Sequence, residues 1–594
     1  MSEYRAPLKE MRFVINELAG LGDVARLPGY EEATPDLVEA VLEEAAQLTA
    51  DVISPTNVVG DSQGTKIVDG TVRVPAEFHA AYRQYMEGGW PGIVNDPQFG
   101  GQGLPRLVGM AVEEMLQSAN LAWSLCPMLT QGAIHAIEAH GSDALKATYL
   151  EQMISGAWTG TMNLTEPQAG SDLSVVRSFA EPDGAHWRVS GQKIFITWGD
   201  HDMTENILHL VLARTPDAPA GVKGLSLFLV PKFLVNEDRS IGERNAVTTA
   251  SVEHKLGIHG SPTCVLDFQR AEGYMIGETG HGLACMFTMM NSARLGVGLE
   301  GVAIAERAYQ HALAYAADRV QGRAPGHKDS VTIFHHPDVR RMLLTMKSET
   351  EAMRAVAYVA AAHLDIASHA EDADVRAFSQ ARVDLLIPVV KGWITETAQV
   401  LTSIGVQVHG GMGYVEETGA AQFMRDARIL TIYEGTTGIQ AGDLVGRKVL
   451  RDGGTALNAM LAEMDATVAE AGSAGSDLAP IAAALAEGVA AVRRALGWLL
   501  DHSAANPANP GAASYHFLML LGTVTGGWQM ARAALMSRAQ LDAGTADSDF
   551  YTGKVQTARF YAEQVLPRAF AHARSIESGS ETMLRFTLEQ MRGE

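Results

Sequence analysis

MRDARILTIYEGTTGIQ, at residues 424–440, is the segment that most narrows the fold and chemistry of this chain. Glu434 follows an aromatic residue, Tyr433, and precedes a glycine, Gly435. A glycine lets the backbone approach a ligand closely, and a carboxylate beside it can act as a base. Thr431 and Glu434 are also three residues apart, which is the spacing of a capping box. The segment alone therefore predicts either a catalytic base or the start of a helix.

Length and composition predict a folded protein of several domains. A chain of 594 residues corresponds to roughly three or four domains. With 47% hydrophobic and 19% charged residues, it can bury a sizeable core. The 46 basic and 69 acidic residues give a formal net charge of −23. Nucleic-acid binding is therefore not expected as its main function. The net charge is still compatible with a local basic pocket for one anionic ligand.

The cysteine pattern and the N-terminus predict a cytoplasmic location. Cys126, Cys264 and Cys285 are far apart, so neither a zinc site nor a disulfide framework is indicated. Scattered reduced thiols are typical of cytoplasmic proteins. The N-terminus has no basic segment followed by a long apolar run, as a secretory signal would. The longest apolar stretches are shorter than a membrane span, so no span is expected.

Hydrophobic periodicity divides the chain into helical and strand-forming parts. Thr34 and Pro35 form a predicted N-cap and first helical residue. Short apolar runs between turn residues, such as WRVSGQKIFIT at 187–197, predict a compact antiparallel or mixed sheet. Helices before and after the strands indicate an α+β fold without repeated βαβ units. The predicted units are an N-terminal helical domain at 1–155, a middle β domain at 156–275, a helical bundle domain at 276–450, a linker at 451–479 and a C-terminal helical extension at 480–594.

Four separated segments resemble the acyl-CoA dehydrogenase family. They are MNLTEPQAGSDLS (162–174), GQKIFITWGD (191–200), QVHGGMGY (407–414) and IYEGTTGIQ (432–440). The resemblance covers about residues 1–450 and implies that family's fold, an FAD cofactor and an acyl-CoA substrate. The chain has no GxGxxG turn after a strand and no Walker-type loop, so a Rossmann turn is not expected to hold the dinucleotide.

The resemblance assigns one group of residues to the flavin ring. Thr165 and the backbone of Met162 and Leu164 correspond to positions that bond the pyrimidine side of the ring. Phe195, where the family commonly has tryptophan, and Thr197 correspond to the strand laid against the flavin, with Thr197 near N5. A Thr-Glu-Pro turn and a core phenylalanine are the simpler interpretations.

A second group corresponds to residues that contact the acyl-CoA in the family. Ser171 resembles a serine that contacts the acyl-CoA, and Asn291 and Arg294 resemble positions that bind the CoA part and lie near the substrate. Tyr433 and Gly435 flank the base and are predicted to line the same site. An N-cap serine, a helix-start asparagine and a surface arginine are the structural alternatives.

A third group resembles contacts to FAD across a subunit interface. Arg319 corresponds to an arginine that reaches the FAD pyrophosphate of a neighbouring subunit. Gln407, Gly410 and Gly411 correspond to a Q-x-x-G-G turn that receives the neighbour's FAD, although a helix C-terminal turn would look similar. Thr436 would contact FAD as well. Such sharing requires at least a homodimer, and a tetramer is equally compatible.

The resemblance makes Glu434 the base that removes a proton from the α-carbon of the thioester. The expected product is a trans-2-enoyl-CoA, and the expected electron acceptor is an electron-transfer flavoprotein. Reoxidation by oxygen would make the protein an acyl-CoA oxidase instead. A non-catalytic, flavin-containing DNA-binding protein on the same fold is the alternative of another class. His409 and the pair His335-His336 are predicted to be structural, and no metal site is expected.

Two further segments narrow the expected substrate. YRAPLKEMRFVINEL (4–18) and LGIHGSPT (256–263) resemble a subgroup of the family, the 3-methylmercaptopropionyl-CoA dehydrogenases of dimethylsulfoniopropionate catabolism. They suggest a short acyl-CoA, with oxidation of 3-(methylthio)propanoyl-CoA to 3-(methylthio)acryloyl-CoA as the candidate reaction. Residues 480–594 resemble the extra helical domain of longer family members. Within them, FLMLLGTVTGGW (517–528) is predicted to be packed core and not a membrane-surface helix.

Overall fold

The computed structural model describes residues 3–593, which begin with a mainly helical region. Thr34 caps α3 as predicted, because its side chain accepts a hydrogen bond from the backbone N–H of Leu37. The elements are α1 Leu8–Phe13, α2 Leu21–Val24, α3 Pro35–Leu48, α4 Thr56–Gln63, β1 Lys66–Val68, β2 Thr71–Arg73, α5 Ala76–Glu87, α6 Arg106–Ala119, α7 Leu121–His140 and α8 Asp143–Ile154.

The middle of the chain forms the predicted mixed sheet. Its strands are β3 Trp158–Asn163, β4 Phe179–Asp183, β5 His186–Thr197, β6 Asn206–Arg214, β7 Leu225–Pro231, β8 Phe233–Val235, β9 Ile241–Arg244, β10 Val247–Val252 and β11 Thr263–Ile276. The pairing β11–β5–β4–β6–β7 returns to β11, so these strands close on themselves. β3 joins β6 in parallel and β10 joins β11 at the other side. Apolar residues such as Val189, Phe228 and Leu266 fill the interior.

Long helices return after the sheet and form a bundle. They are α9 Gly282–Asp318, α10 Pro337–His369, α11 Ala373–Pro388, α12 Ile394–His409, α13 Ala420–Ala427 and α14 Thr437–Asp443. A π-helical turn, Val389–Trp393, joins α11 to α12. The bundle packs against α6 and α7 of the N-terminal region, so both helical regions contribute to one continuous core.

A buried charge network joins three of these helices. The Arg354 guanidinium on α10 donates to both carboxylate oxygens of Glu114 on α6, with Nη2 2.7 Å from Oε1. The same nitrogen donates to Oε2 of Glu306 on α9 at 2.8 Å, and the Tyr358 hydroxyl donates to Glu114 at 2.7 Å. All four residues are buried. Each charge therefore depends on its partners for solvation.

The prediction of a linker at 451–479 is wrong. Most of that range is the helix α15, Thr455–Ala474, whose apolar face is buried through Leu457, Met460, Leu461 and Met464. The Gly/Ser-rich break is confined to residues 475–478. The remaining helices are α16 Ala479–His502, α17 Asn509–Asp542, α18 Ser548–Phe560, α19 Arg568–Glu577, α20 Glu581–Arg585 and α21 Leu588–Arg592.

Helix α17 carries the segment FLMLLGTVTGGW and packs into the bundle, which confirms the core prediction. A Cβ at Gly522 would lie 2.2 Å from the Trp393 ring, so only glycine permits this approach. Within residues 3–593, no helix is both long and apolar enough to cross a membrane.

The C-terminal extension is also tied to the first helix by charge. Lys554 on α18 donates to Glu10 on α1 at 2.6 Å and to Glu351 on α10 at 2.7 Å. All three side chains are buried. The first helix and the C-terminal extension therefore meet in one ionic cluster.

Candidate active site

Glu434 lies in a tight turn between α13 and α14. Its φ of +54° and the φ of +87° at Gly435 are both left-handed. Such a conformation costs a non-glycine residue on the order of 1–3 kcal/mol and needs support from the surrounding structure. The predicted capping role of Thr431 and Glu434 is wrong, because Thr436 caps α14 by accepting from the N–H of Ile439. The carboxylate is therefore not used as a cap.

Three polar contacts hold this turn on both sides. Lys391, in the π-helical turn, donates from Nζ to the carbonyl of Gly435 at 2.7 Å. Gln440 donates from Nε2 to the carbonyl of Glu434 at 3.2 Å. The Tyr433 hydroxyl donates to Oε2 of Glu300 on α9. Lys391, Gln440 and Glu300 are all fully buried.

The surroundings of Glu434 suit a base that works near neutral pH. Burial raises the pKa of Glu434 to about 7, against the opposing effect of the Lys391 and Arg294 charges. Burial also lowers the pKa of Lys391 to about 8. A carboxyl whose pKa is close to the working pH can accept a proton and release it again.

Arg294 is a buried partner of this site, so its interpretation as a surface arginine is wrong. Only 4% of the residue is exposed, and Nη1 lies 3.8 Å from a carboxylate oxygen of Asp443. The same nitrogen donates to Oδ1 of Asn291 at 3.4 Å. Asn291 lies within α9 and not at its start. The structure therefore brings Asn291 and Arg294 of the second predicted group together, and the Arg294 charge acts on Glu434 in the Tyr433–Gly435 turn.

A buried ion pair shapes the TEPQAGSD loop on the sheet side. Lys193 of β5 donates to Glu166 at 2.8 Å and to the carbonyl of Leu164 at 3.0 Å. Glu166 also accepts from the backbone N–H groups of Arg177 and Ser178. Burial alone would raise the pKa of Glu166, but Lys193 and these donors outweigh it and lower the pKa to about 2. The loop is thereby fixed beside the end of β3.

Phe195 is exposed and not part of the sheet core, contrary to the simpler interpretation. A bulge in the β5–β11 pairing, at which Phe195 has a φ of +58°, leaves 59% of the residue exposed. Bulges commonly redirect one side chain of a strand. The N–H of Ile194 donates to the carbonyl of Thr165 at 2.9 Å, which brings the loop and the bulge together.

The TEPQAGSD loop and the β5 bulge form one surface with polar and aromatic groups. The hydroxyls of Thr165 and Thr197 make no hydrogen bond to any residue between 3 and 593, and Met162 and Leu164 line the same strand end. Free hydroxyls beside an exposed aromatic face offer both polar and stacking contacts. Ser171 is exposed in the adjoining loop, where Asp172 and not Ser171 caps the following turn.

The sheet docks on the helix that leads to the Glu434 turn. In the LGIHGSPT segment, the N–H of Ile258 donates to Oδ1 of Asp426 on α13 at 2.5 Å. A Cβ at Gly257 would lie 2.5 Å from the backbone of Arg425, so the approach requires glycine. The sheet therefore contacts α13 directly, two elements before the turn that carries Glu434.

The third predicted group lies at one exposed end of the bundle. Arg319 follows α9, and Gln407, Gly410 and Gly411 lie at the end of α12; all are exposed. His409 packs its ring 4.5 Å from that of Tyr315, one turn before Arg319. His409 donates from Nδ1 to the carbonyl of Gly405 at 2.7 Å, one turn earlier in α12. Exposed apolar residues follow, including Met412 and Tyr414.

Two adjoining cavities lie beside this helical region. The larger has a volume of about 590 Å³ and lies among α6, α7, α9 and α11, with Met110, Glu113, Met128 and Leu295 in its wall. The smaller, of about 290 Å³, is lined by four basic side chains, Arg294, Arg447, Lys448 and Arg451, and by Asp384 and Asp443. Glu434 lines neither cavity. Asn291 lines both cavities, and Arg294 lines the smaller one.

Sequence reasoning missed three buried residues of this region: Lys193, Glu300 and Lys391. Each contacts a predicted site residue or its backbone, but each lies far from that residue along the chain. A lone glutamate or lysine within a helical pattern is usually read as part of a solvated face. Only Lys193 and Glu166, inside recognised segments, could have been paired from the sequence.

Comparison with known proteins identifies the family to which this order of helical, sheet and helical domains belongs. Profiles match in chain order: the acyl-CoA dehydrogenase N-terminal domain at residues 39–157, the middle domain at 161–271, the C-terminal domain at 280–450, and an acetyl-CoA dehydrogenase C-terminal-like domain at 460–587. The chain belongs to the acyl-CoA dehydrogenase family, whose members are FAD-dependent oxidoreductases, and has that family's C-terminal extension.

Individual relatives match over almost the whole chain. A 3-methylmercaptopropionyl-CoA dehydrogenase of Ruegeria pomeroyi is 48% identical over 584 residues, which cover 98% of this chain and 99% of that protein. A butyryl-CoA dehydrogenase of Syntrophomonas wolfei is 33% identical and covers 98% of both chains. The structure of an acyl-CoA dehydrogenase from Bacillus anthracis, complexed with FAD, is 20% identical and covers 98% of this chain and 93% of its own, with a TM-score of 0.74. That last likeness supports the fold alone.

Proposed function

We propose that Glu434 is the base of an α,β-dehydrogenation that converts a short-chain acyl-CoA to its trans-2-enoyl-CoA. The observation that carries this proposal is the partly exposed carboxyl of Glu434, which is held in a left-handed turn and has its pKa raised to about 7. Its carboxylate takes the proton from Cα, the electron pair of that bond becomes the new C=C bond, and the hydride leaves Cβ. When bound, FAD supplies the acceptor for that hydride.

The chain's own residues fit the binding of FAD and acyl-CoA. We assign Met162, Leu164, Thr165, Phe195 and Thr197 to the flavin ring, because the free hydroxyls and the exposed phenyl ring form one surface. Thr436 would lie close to it as the cap of α14. The basic cavity suits CoA phosphates, since arginine offers forked donors to phosphate oxygens.

We also assign the exposed end of the bundle to a subunit interface. Arg319, Gln407, Gly410 and Gly411 lie there beside the exposed apolar residues Met412 and Tyr414. Such a surface is better suited to burial against a second copy than to water. A homodimer, or a tetramer built from it, would share FAD contacts through these residues, and an electron-transfer flavoprotein would reoxidise the flavin.

The candidate substrate is 3-(methylthio)propanoyl-CoA, which the Ruegeria pomeroyi relative supports by its name. We expect anaerobic flavin reduction by this thioester to be faster than by butanoyl-CoA or octanoyl-CoA at equal saturation. Stopped-flow absorbance of the flavin band with each thioester measures this preference. Fastest reduction by octanoyl-CoA would contradict the short-chain assignment. Stoichiometric oxygen consumption during turnover would replace the flavoprotein acceptor with an oxidase reaction.

The rate of flavin reduction is expected to rise with pH through about 7. Only the ionised form of Glu434 can accept the α-proton, and its pKa is raised to about 7 by burial. Below that pH, the rate should fall about tenfold per pH unit. Single-turnover reduction at saturating thioester between pH 5.5 and 8.5 measures this limb. A rate that stays constant down to pH 5.5 would show that the base is not Glu434 in this environment.

A further inference from the structure

Glu300 is a buried acid that the proposed proton transfer does not use. It lies in α9, is fully buried, and accepts a hydrogen bond from the Tyr433 hydroxyl through Oε2. Its other oxygen, Oε1, has no hydrogen-bond partner among residues 3–593. Burial, with the nearby acids Glu113 and Glu434, raises the pKa of Glu300 to about 8, against the effects of the Tyr433 hydrogen bond and Lys391. At neutral pH the side chain is therefore mainly the neutral acid.

Glu300 makes its hydrogen bond to the Glu434 turn through the residue before Glu434. Tyr433 immediately precedes Glu434, and the turn that follows is left-handed at two consecutive residues. On the far side, Lys391 donates to the carbonyl of Gly435 at 2.7 Å. The turn is thus fixed before Glu434 by α9 and after it by the π-helical turn. Removing either contact leaves the strained residue with support from one side only.

We propose that Glu300 is a positioning residue that holds Glu434 in its reactive orientation through the Tyr433 hydroxyl. This inference rests on the proposed function of Glu434. The requirement is an oxygen acceptor at position 300, and not a negative charge there. Glutamine provides such an acceptor with the same shape as the neutral acid, whereas leucine provides none and leaves the buried Tyr433 hydroxyl unpaired.

The test compares Glu300→Gln, Glu300→Leu and Tyr433→Phe in the FAD-loaded protein. Glu300→Leu and Tyr433→Phe are each expected to slow anaerobic flavin reduction roughly tenfold, as expected for a lost buried hydrogen bond. Thioester Kd should stay within about twofold in Glu300→Leu, since Glu300 is not among the residues predicted to contact the thioester. Glu300→Gln should keep more than a third of the wild-type rate. The double variant Glu300→Leu/Tyr433→Phe should be no slower than the slower single variant, because both remove the same contact.

Glu306→Gln is the matched control, since Glu306 is a buried acid of the same helix that bonds to Arg354 and not to the turn. It is expected to lower Tm without slowing flavin reduction. Full activity of Glu300→Leu would overturn the proposal, and so would a Glu300→Gln variant as slow as Glu300→Leu. Independent, multiplicative losses in the double variant would overturn it as well.

Hydrogen exchange without substrate separates this inference from the proposed function. Peptides covering residues 428–440 should exchange faster in Glu300→Leu than in wild type, and at the wild-type rate in Glu300→Gln and Glu306→Gln. Unchanged exchange of this segment in Glu300→Leu would overturn the positioning role, whatever reaction the protein performs. A wild-type protein that no thioester bleaches would contradict the proposed function, while the exchange experiment would still decide the role of Glu300.

Discussion

Glu434→Gln should bind FAD and acyl-CoA as the wild type does, yet reduce its flavin roughly 10²–10⁴-fold more slowly under anaerobic conditions. The amide keeps the size of the side chain and its place in the left-handed turn, but it cannot accept the α-proton. The turn itself is held by backbone carbonyls and by Tyr433, none of which the substitution removes. Stopped-flow bleaching with 3-(methylthio)propanoyl-CoA measures the rate, and titration of the flavin spectrum measures thioester binding.

Glu349→Gln provides the matched control for this experiment. Glu349 is a buried carboxyl that also has a raised pKa, but its partner is Arg568 in the C-terminal extension. Its substitution is expected to leave flavin reduction unchanged. Bleaching of Glu434→Gln at close to the wild-type rate would place the base elsewhere in the protein.

Arg354→Met is expected to destabilise the protein by about 3–5 kcal/mol, because it leaves buried carboxylates without their counter-charge. Glu114 would keep only the Tyr358 hydroxyl, and Glu306 would lose its bond from α10. The network joins α6, α9 and α10, so its loss weakens the contact between the N-terminal helices and the bundle. The shift of the denaturant midpoint for the FAD-loaded protein measures this effect.

An arginine-to-methionine substitution at an exposed ion pair tests whether the loss of stability comes from burial of the charges or from loss of an ion pair alone. Arg493→Met removes the partner of Asp465 in a pair in which both side chains are more than 40% exposed. Exposed pairs contribute about 0–1 kcal/mol, so little change in the midpoint is expected. Equal shifts of the denaturant midpoint in Arg354→Met and Arg493→Met would show that burial of the Arg354 network adds nothing to its contribution to stability.

Much of the fold could be predicted because its local patterns are strong. The run at 187–197 differs from β5 by one residue, and the helical, sheet, helical order is as expected. The linker prediction failed because the Gly/Ser-rich segment AGSAGSD (471–477) was extended to the apolar residues before it. A buried helical face has apolar residues three and four positions apart, and this spacing is present on α15 at Leu457, Met460, Leu461 and Met464. That periodicity indicates a helix and not a linker.

The site was predictable only where it is contiguous in sequence. Glu434 stands in a compact motif, and Arg294 in another. Glu300 is 133 residues before Tyr433 and Lys391 is 44 residues before Gly435, so neither contact follows from spacing. The exposure of Phe195 depends on a bulge set by its pairing with β11, which no property of β5 alone predicts.

The cluster of Glu10, Glu351 and Lys554 has a consequence for the order in which the chain can mature. Lys554 lies 544 residues after Glu10, so during synthesis the first helix gains this hydrogen-bonded counter-charge only when almost the whole polypeptide has been made. Until then, burial favours the protonated form of Glu10, and its pKa remains raised even in the finished protein. Contacts of such long sequence separation form late. The contact between the first helix and the C-terminal extension is therefore expected to be among the last to form.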